Sequence, residues 1–307
     1  MPSPSIVVIG SINMDLVARV ARLPQPGETV LGNDLAYVAG GKGANQAVAA
    51  ARLGANVTMI GRVGDDPFGQ TLLAGLQKEK ICTDHVAVVP NCSSGVAWIG
   101  VSDDGMNSIT VISGANGQLT PDDVAAVEPV IAAADVVLLQ LEIPLETAAR
   151  ASQLARKHRV RTILDSAPAP ITRLPDDLLQ VDLLTPNQTE AEAITGIVVK
   201  DAATAVQAAR QLQHDGAKAV VIKLGEQGAV WLDDAGKFAH VPARRIEAVD
   251  TTAAGDAFTA ALAVALAEGR TLPDAVKWGC AAGTLAALTP GAQPSMPTRP
   301  MVEQMAQ

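Results

Sequence analysis

The sequence predicts an α/β fold in which a mostly parallel sheet is flanked by helices and covered in part by a smaller sheet. Two observations carry this. From residue 121 onward, short apolar β-branched runs alternate with longer helical stretches, and such alternation builds a parallel sheet with helices on both faces. Segments 14–40 and 94–113 break that rhythm with short strands around turns, and insertions of this type can pair as a lid over a site. No repeat or low-complexity linker interrupts the 307 residues, which therefore read as one domain, 1–307, with its lid formed by these two insertions.

Composition narrows the function. Hydrophobic residues make up 48% and aromatics only 2%, which favours close-packed helices and opposes base stacking on aromatic platforms. The net charge of −9 argues against a nucleic-acid partner. The three cysteines have no CxxC pairing, which suggests a reducing compartment, and the four histidines lack metal-ligand spacing. The first ten residues carry neither a basic nor a long apolar leader region. The longest apolar run, near 257–267, is too short to cross a bilayer. A cytoplasmic protein without a membrane partner is expected.

Taken in order, residues 6–9 form an apolar run expected of a strand buried on both faces. The run ends in Gly10-Ser11-Ile12-Asn13-Met14-Asp15, which lacks the G-x-G-x-x-G of a dinucleotide turn. In an extended segment Asn13 and Asp15 share one side, where they suit either the adjacent hydroxyls of a sugar or an Asx turn. Residues 16–38, with Pro24, Pro26, Gly27 and Gly32, read as short strands around turns. Gly40-Gly41-Lys42-Gly43-Ala44-Asn45-Gln46 then opens a helix that Gly54 stops. Because Gly follows Lys42, this is no Walker A loop. Its glycines let backbone approach a ligand, with Lys42 and Asn45 as donors, although Gly-rich helix starts are also common.

Residues 57–63 read as a second core strand, and Asp65-Asp66-Pro67 as a helix start. At Val86 the pattern changes to short alternating strands, with 96–101 and 108–112 flanking an Asp103-Asp104-Gly105 turn. After the helix from Pro121, strands are expected at 136–141, 162–165, 181–184 and 219–224. Helices at 145–158, from Gln188, and at 202–214 fall between them. In such sheets ligands sit beyond the carboxyl ends of the strands. There the chain puts Glu142, Asp165, Asn187, Glu190 and Gly225-Glu226-Gln227-Gly228, a recurrence that points to a site. A hairpin at 228–232 and 237–241 follows, and a last helix at 273–288 runs into the polar loop 290–295.

Between them lies Ala248-Val249-Asp250-Thr251-Thr252-Ala253-Ala254-Gly255-Asp256-Ala257-Phe258. The apolar run beginning at Ala257 makes Ala253-Ala254-Gly255-Asp256 a helix N-terminus. Its first N–H groups lack intrahelical partners, and small side chains let a phosphate reach them. Asp256 is then placed to take a proton from an attacking hydroxyl, or it is simply an N-cap acid.

These segments, with Pro24-Gln25-Pro26-Gly27-Glu28-Thr29-Val30, Pro186-Asn187-Gln188-Thr189-Glu190-Ala191-Glu192 and Gly291-Ala292-Gln293-Pro294-Ser295, resemble the ribokinase (PfkB carbohydrate kinase) family. The resemblance covers the chain from about Ile6 to Ser295. It implies a Rossmann-like sheet with a β-lid that pairs with a second copy in a homodimer. It also implies transfer of the ATP γ-phosphoryl group to O5 of D-ribose. By the same resemblance, Asn13, Asp15, Gly41, Lys42, Asn45 and Glu142 hold the sugar. Asp256 is the general base, with Ala253, Ala254 and Gly255 as the anion hole. Asn187 contacts ATP phosphates, Glu190 orders Mg²⁺ through water, and Lys223, Leu224, Gly225, Glu226, Gln227, Gly228 and Cys280 lie near the nucleotide. Potassium is held by Asp250, Thr252, Ala286, Thr289, Gly291 and Ser295.

Three positions depart from that pattern. Ala253 stands where Gly is frequent, Lys223 where Thr is frequent, and Cys280 where His or Asn is frequent near adenine, which leaves nucleotide preference open. Related sugar kinases acting on deoxyribose, a ketohexose or a nucleoside are the nearest alternatives, and a sugar-binding regulator without catalysis is a further one. A nicotinamide dehydrogenase lacks support for want of the glycine fingerprint.

Overall fold

Apolar β-branched runs bury best as interior strands of a parallel sheet, and they do so here. The computed structural model describes residues 3–170, 172 and 174–307; Met1 and Pro2, where the N-terminal reading starts, lie outside it. In chain order the strands are β1 (Ser5–Ile9), β2 (Asn13–Val20), β3 (Gly32–Gly40), β4 (Asn56–Gly64), β5 (Cys82–Val89), β6 (Gly95–Ser102) and β7 (Asn107–Ile112). They continue as β8 (Val136–Leu139), β9 (Arg161–Leu164), β10 (Leu183–Leu184), β11 (Ala219–Lys223), β12 (Ala229–Leu232) and β13 (Phe238–Val241). The first six helices are α1 (Lys42–Arg52), α2 (Pro67–Lys78), α3 (Pro121–Ala126), α4 (Glu128–Ala132), α5 (Leu145–Lys157) and α6 (Asp176–Leu179). The remaining five are α7 (Gln188–Thr195), α8 (Ala202–His214), α9 (Ala254–Ala267), α10 (Leu272–Ala286) and α11 (Arg299–Met305).

Nine strands pair in the order β13-β12-β11-β10-β9-β8-β1-β4-β5, parallel except for the β11-β12-β13 hairpins at one edge. A four-stranded sheet, β3-β2-β6-β7, stands apart, with β2 and β6 parallel and the outer pairs antiparallel. Alternate residues of β1 divide between two apolar clusters, Ile6 and Val8 facing one way, Val7 and Ile9 the other. The first cluster holds α1, α9 and α10; the second holds α5 and α8. Among the described residues no helix is long and apolar enough to cross a membrane.

Three expectations change. The strand after Val86 is not part of the small sheet: β5 pairs in parallel with β4 as the edge of the large one. An edge strand wet on one face alternates just as a lid strand does, which is why its pattern misleads. The strand expected over 136–141 stops at Leu139, because the chain turns to carry Gln140 and Glu142 into the cleft. The helix expected after Pro121 is two short ones, α3 and α4, meeting at Val127 beside Pro129.

Candidate active site

The carboxyl ends of β1, β8, β9 and β11 open toward the N-termini of α1 and α9, and the polar residues noted in the sequence gather there. Two glycines make this closeness possible. Gly41 caps α1 at φ 86°, a left-handed angle that glycine adopts without strain. A Cβ on Gly43 would lie 2.7 Å from the backbone of both Gly10 and Ser11, so α1 touches the end of β1 directly. Ser11 Oγ then donates to Glu142 Oε2 at 2.5 Å, and the Lys42 N–H to the same oxygen at 3.1 Å.

Asp256 lies in the first turn of α9, only 5% exposed. Asn45 Nδ2 donates to its Oδ2 at 2.9 Å and Gln46 Nε2 to its Oδ1 at 3.1 Å. Burial raises its pKa, against the opposing pull of Lys42 and with a further push from Asp165. Burial works against the charge of Lys42, but Asp256, Glu142, Asp165 and Glu190 outweigh it and hold the ammonium protonated well above its ordinary range. Asp15 is pushed up to about 7 by burial and by the charges of Glu142 and Asp256, with Lys42 opposing. On the same strand Asn13 is fixed by Asn116, whose Nδ2 donates to Asn13 Oδ1 at 2.7 Å.

The start of α9 leaves backbone donors free. Ala253 takes the left-handed conformation, φ 58°, where a side chain costs ~1–2 kcal/mol. The N–H of Ala254 is occupied by Thr251 O at 3.2 Å, whereas among the described residues those of Gly255 and Asp256 have no acceptor. Of the expected anion hole of Ala253, Ala254 and Gly255, only the Ala254 N–H is thus engaged; that of Ala253, like those of Gly255 and Asp256, has no acceptor among the described residues.

On the other side of the cleft Asn187 caps α7 and forms a reciprocal pair with Glu190, which is 4% exposed. Burial raises the pKa of Glu190, with Lys223 opposing. The turn after β11 exposes Gly225, Glu226 and Gln227 at the rim and brings Gly228 back at φ 95°. Leu224 belongs to the core, its N–H donating to Gly228 O at 2.8 Å. Cys280 lies against the end of β13, and burial pushes its thiol up to about 12.

Asp250 joins two loops, its Oδ1 accepting from Thr252 N at 2.9 Å and its Oδ2 from Gly291 N at 2.8 Å. Burial opposes its charge, but these hydrogen bonds outweigh it and hold its pKa down. Thr289 N donates to Ala286 O at 3.2 Å, and Ser295 is buried with its hydroxyl on Ala292 O. The six residues expected around potassium thus lie on the two segments that Asp250 cross-links, Ala286 as the last residue of α10 and the others outside the helices α9 and α10.

Sequence reasoning missed a buried polar chain beneath the site. Lys223 Nζ lies 2.7 Å from Asp165 Oδ1, Asp165 Oδ2 accepts from Gln46 Nε2 at 3.0 Å, and Gln140 Nε2 holds Gln46 Oε1 at 2.7 Å. Asp165 was visible as a strand-end acid, and Gln46 follows Lys42 by one helical turn, but only tertiary closure joins them. Ser11 and Asn116 were invisible for the same reason.

Residues 3–299 match the family described as pfkB family carbohydrate kinase. A ribokinase of Haemophilus influenzae is 42% identical over 296 residues, spanning 96% of each chain. A deoxyribokinase of Salmonella typhi is 40% identical over 253 residues, 82% of each chain. The Arabidopsis thaliana ribokinase complexed with ribose and ATP superposes with a TM-score of 0.91 at 34% identity, covering 100% of this chain and 99% of that one. The chain belongs to the pfkB family of carbohydrate kinases.

Proposed function

We propose that this protein is a ribokinase, transferring the γ-phosphoryl group of ATP to O5 of D-ribose. The observation that carries the reading is Asp256, a buried carboxylate held by Asn45 and Gln46 at a helix start with free N–H groups. Asn13, Asp15, Gly41, Lys42, Asn45 and Glu142 line the sugar side, and Asp15 suits a vicinal diol by accepting two hydroxyls. Asp256 takes the O5 proton as the O5–P bond forms and the bridging P–O bond breaks, its electrons leaving on ADP. The Gly255 and Asp256 N–H groups receive the charge that develops on the phosphoryl oxygens.

Mg²⁺, arriving with ATP, would supply charge neutralisation at the phosphates. Glu190, both of whose oxygens are engaged by Asn187, fits a role through water and not direct ligation. Asn187 and the 223–228 turn, with Cys280 nearby, take the nucleotide. Potassium suits the oxygen donors of Asp250, Thr252, Ala286, Thr289, Gly291 and Ser295, where it would stabilise the loop that starts α9. Activity should fall when potassium is replaced by Tris; equal rates would remove the cation from the account. The small sheet acts as a lid, and its exposed Leu35, Trp98 and Ile109 support a homodimer through it, in the cytoplasm.

A coupled ADP-release assay with ribose, Mg²⁺ and potassium, followed by ³¹P NMR of the product, tests the reading. Phosphate on O5 is expected; no ADP release above the sugar-free background rejects it. The second reading, 2-deoxyribose as substrate, is favoured by the similarity to the Salmonella deoxyribokinase.

A further inference from the structure

β11 ends in Lys223, whose side chain is 11% exposed and whose Nζ lies 2.7 Å from Asp165 Oδ1. An ammonium carries three N–H donors, and among the described residues Asp165 is its one acceptor. The remaining donors lie against the first turn of α9, since a Cβ on Gly255 would stand 3.6 Å from Nζ. Asp165 is gripped from its other side by Gln46 at 3.0 Å and by Thr259 Oγ1 at 3.2 Å. The same Gln46 nitrogen reaches Asp256 at 3.1 Å, so a continuous chain runs Lys223–Asp165–Gln46–Asp256. Burial opposes the charge of Lys223, but Asp165 and Glu190 outweigh it and keep the ammonium protonated.

We propose that Lys223 is a catalytic residue that donates from Nζ to the phosphoryl group in transfer, and that Asp165 is the positioning residue that fixes it, through Gln46, relative to the Asp256 base. The inference rests on the reading of the α9 start as the phosphate site and adds a residue to it. In phosphoryl transfer, charge spreads over three equatorial oxygens. The Gly255 and Asp256 N–H groups approach from the helix axis, and Lys223 adds a full positive charge from the side of β11. A purely structural ion pair would behave differently, because a buried pair replaced on both sides by neutral groups often loses no stability.

Lys223→Met, Asp165→Asn and the double variant separate the two roles, each scored for melting temperature, kcat and KM. Lys223→Met is expected to lower kcat by ~10²-fold, the usual loss for one preorganised donor, with the ribose KM little changed. The double variant, free of an unpaired buried carboxylate, should regain the melting temperature but not kcat. Recovery of kcat in the double variant, or a Lys223→Met kcat close to wild type, overturns the proposal. Calorimetry without sugar gives a second readout that is independent of which sugar is taken. Wild type should bind a non-hydrolysable ATP analogue more tightly than ADP, and Lys223→Met should lose that preference; an unchanged ratio counts against the role. Should wild type turn over no sugar at all, the kinase reading falls while this ratio still decides the place of Lys223.

Discussion

Where α1 meets the end of β1, the chain uses glycine and alanine to bring backbone onto backbone. In β2, β3, β6 and β7 it instead leaves large apolar side chains in the open. Gly43 has no room for a Cβ, whereas Trp98 is 48% and Ile109 55% exposed. The floor of the cleft carries buried acids and two lysines, with Lys223 held on Asp165 and Asp165 and Asp256 linked through Gln46. In the small sheet, alternation along β2 sends Asp15 and Val17 to one face and Leu16 and Ala18 to the other, with Tyr37 and Trp98 beside Leu16. The floor is built to hold charges at fixed distances, and the sheet to present surface. Asp15, on β2 yet pushed up to about 7 by its burial and by Glu142 and Asp256, is where the two regions meet.

If the floor performs the chemistry, changes there should act on kcat. Asp256→Asn should reduce kcat by ~10²–10⁴-fold while ribose binding, read by calorimetry, persists. A kcat near wild type would move the base elsewhere. Gly43→Ala inserts a methyl 2.7 Å from the Gly10 and Ser11 backbone. It should cost ~1–3 kcal/mol of stability by overpacking, lowering the melting temperature and activity together. An unshifted melting curve would show that α1 has slack. Trp98→Glu should have the smallest effect on kcat and the largest on self-association, measured by sedimentation at several concentrations. A large loss of kcat with unchanged mass would blur the division between floor and sheet.

The sheet order follows from features legible in the sequence: β-branched runs ended by polar residues gave β1, β4, β8, β9 and β11 nearly in place. The small sheet was legible from its broken rhythm, apart from β5, whose one wet face imitates it. The stretch around Asp256 was legible because a short acid-bearing motif carries its own local geometry. What was not legible depends on residues distant in sequence. Gln46, Asp165 and Lys223 belong to three separate elements, and no local pattern announces that their side chains meet. Nor could composition reveal that the Ala254 N–H is taken by Thr251 O, which removes it from the free donors at the start of α9.

Asp15 gives the most direct test, because it joins the sheet to the floor and, in the proposed reading, takes the hydroxyl that distinguishes ribose from 2-deoxyribose. Its carboxyl is raised from 3.8 to about 7, so the folded protein holds this proton more tightly than the unfolded chain. Stability from this group therefore falls as pH rises from about 4 to about 7, and Asp15→Asn should melt above wild type at pH ~8 but not near pH ~4. Ribose recognition runs the opposite way: the carboxylate is present above about 7 and is lost as pH falls below it. The deciding measurement is kcat/KM for ribose against 2-deoxyribose at pH ~8, in wild type and Asp15→Asn. A charged hydrogen bond is worth ~1.5–3 kcal/mol, so ribose should lead by ~10–100-fold in wild type, and the lead should vanish in the variant. Equal or faster turnover of 2-deoxyribose by wild type, or a ribose lead that survives Asp15→Asn, would contradict the account.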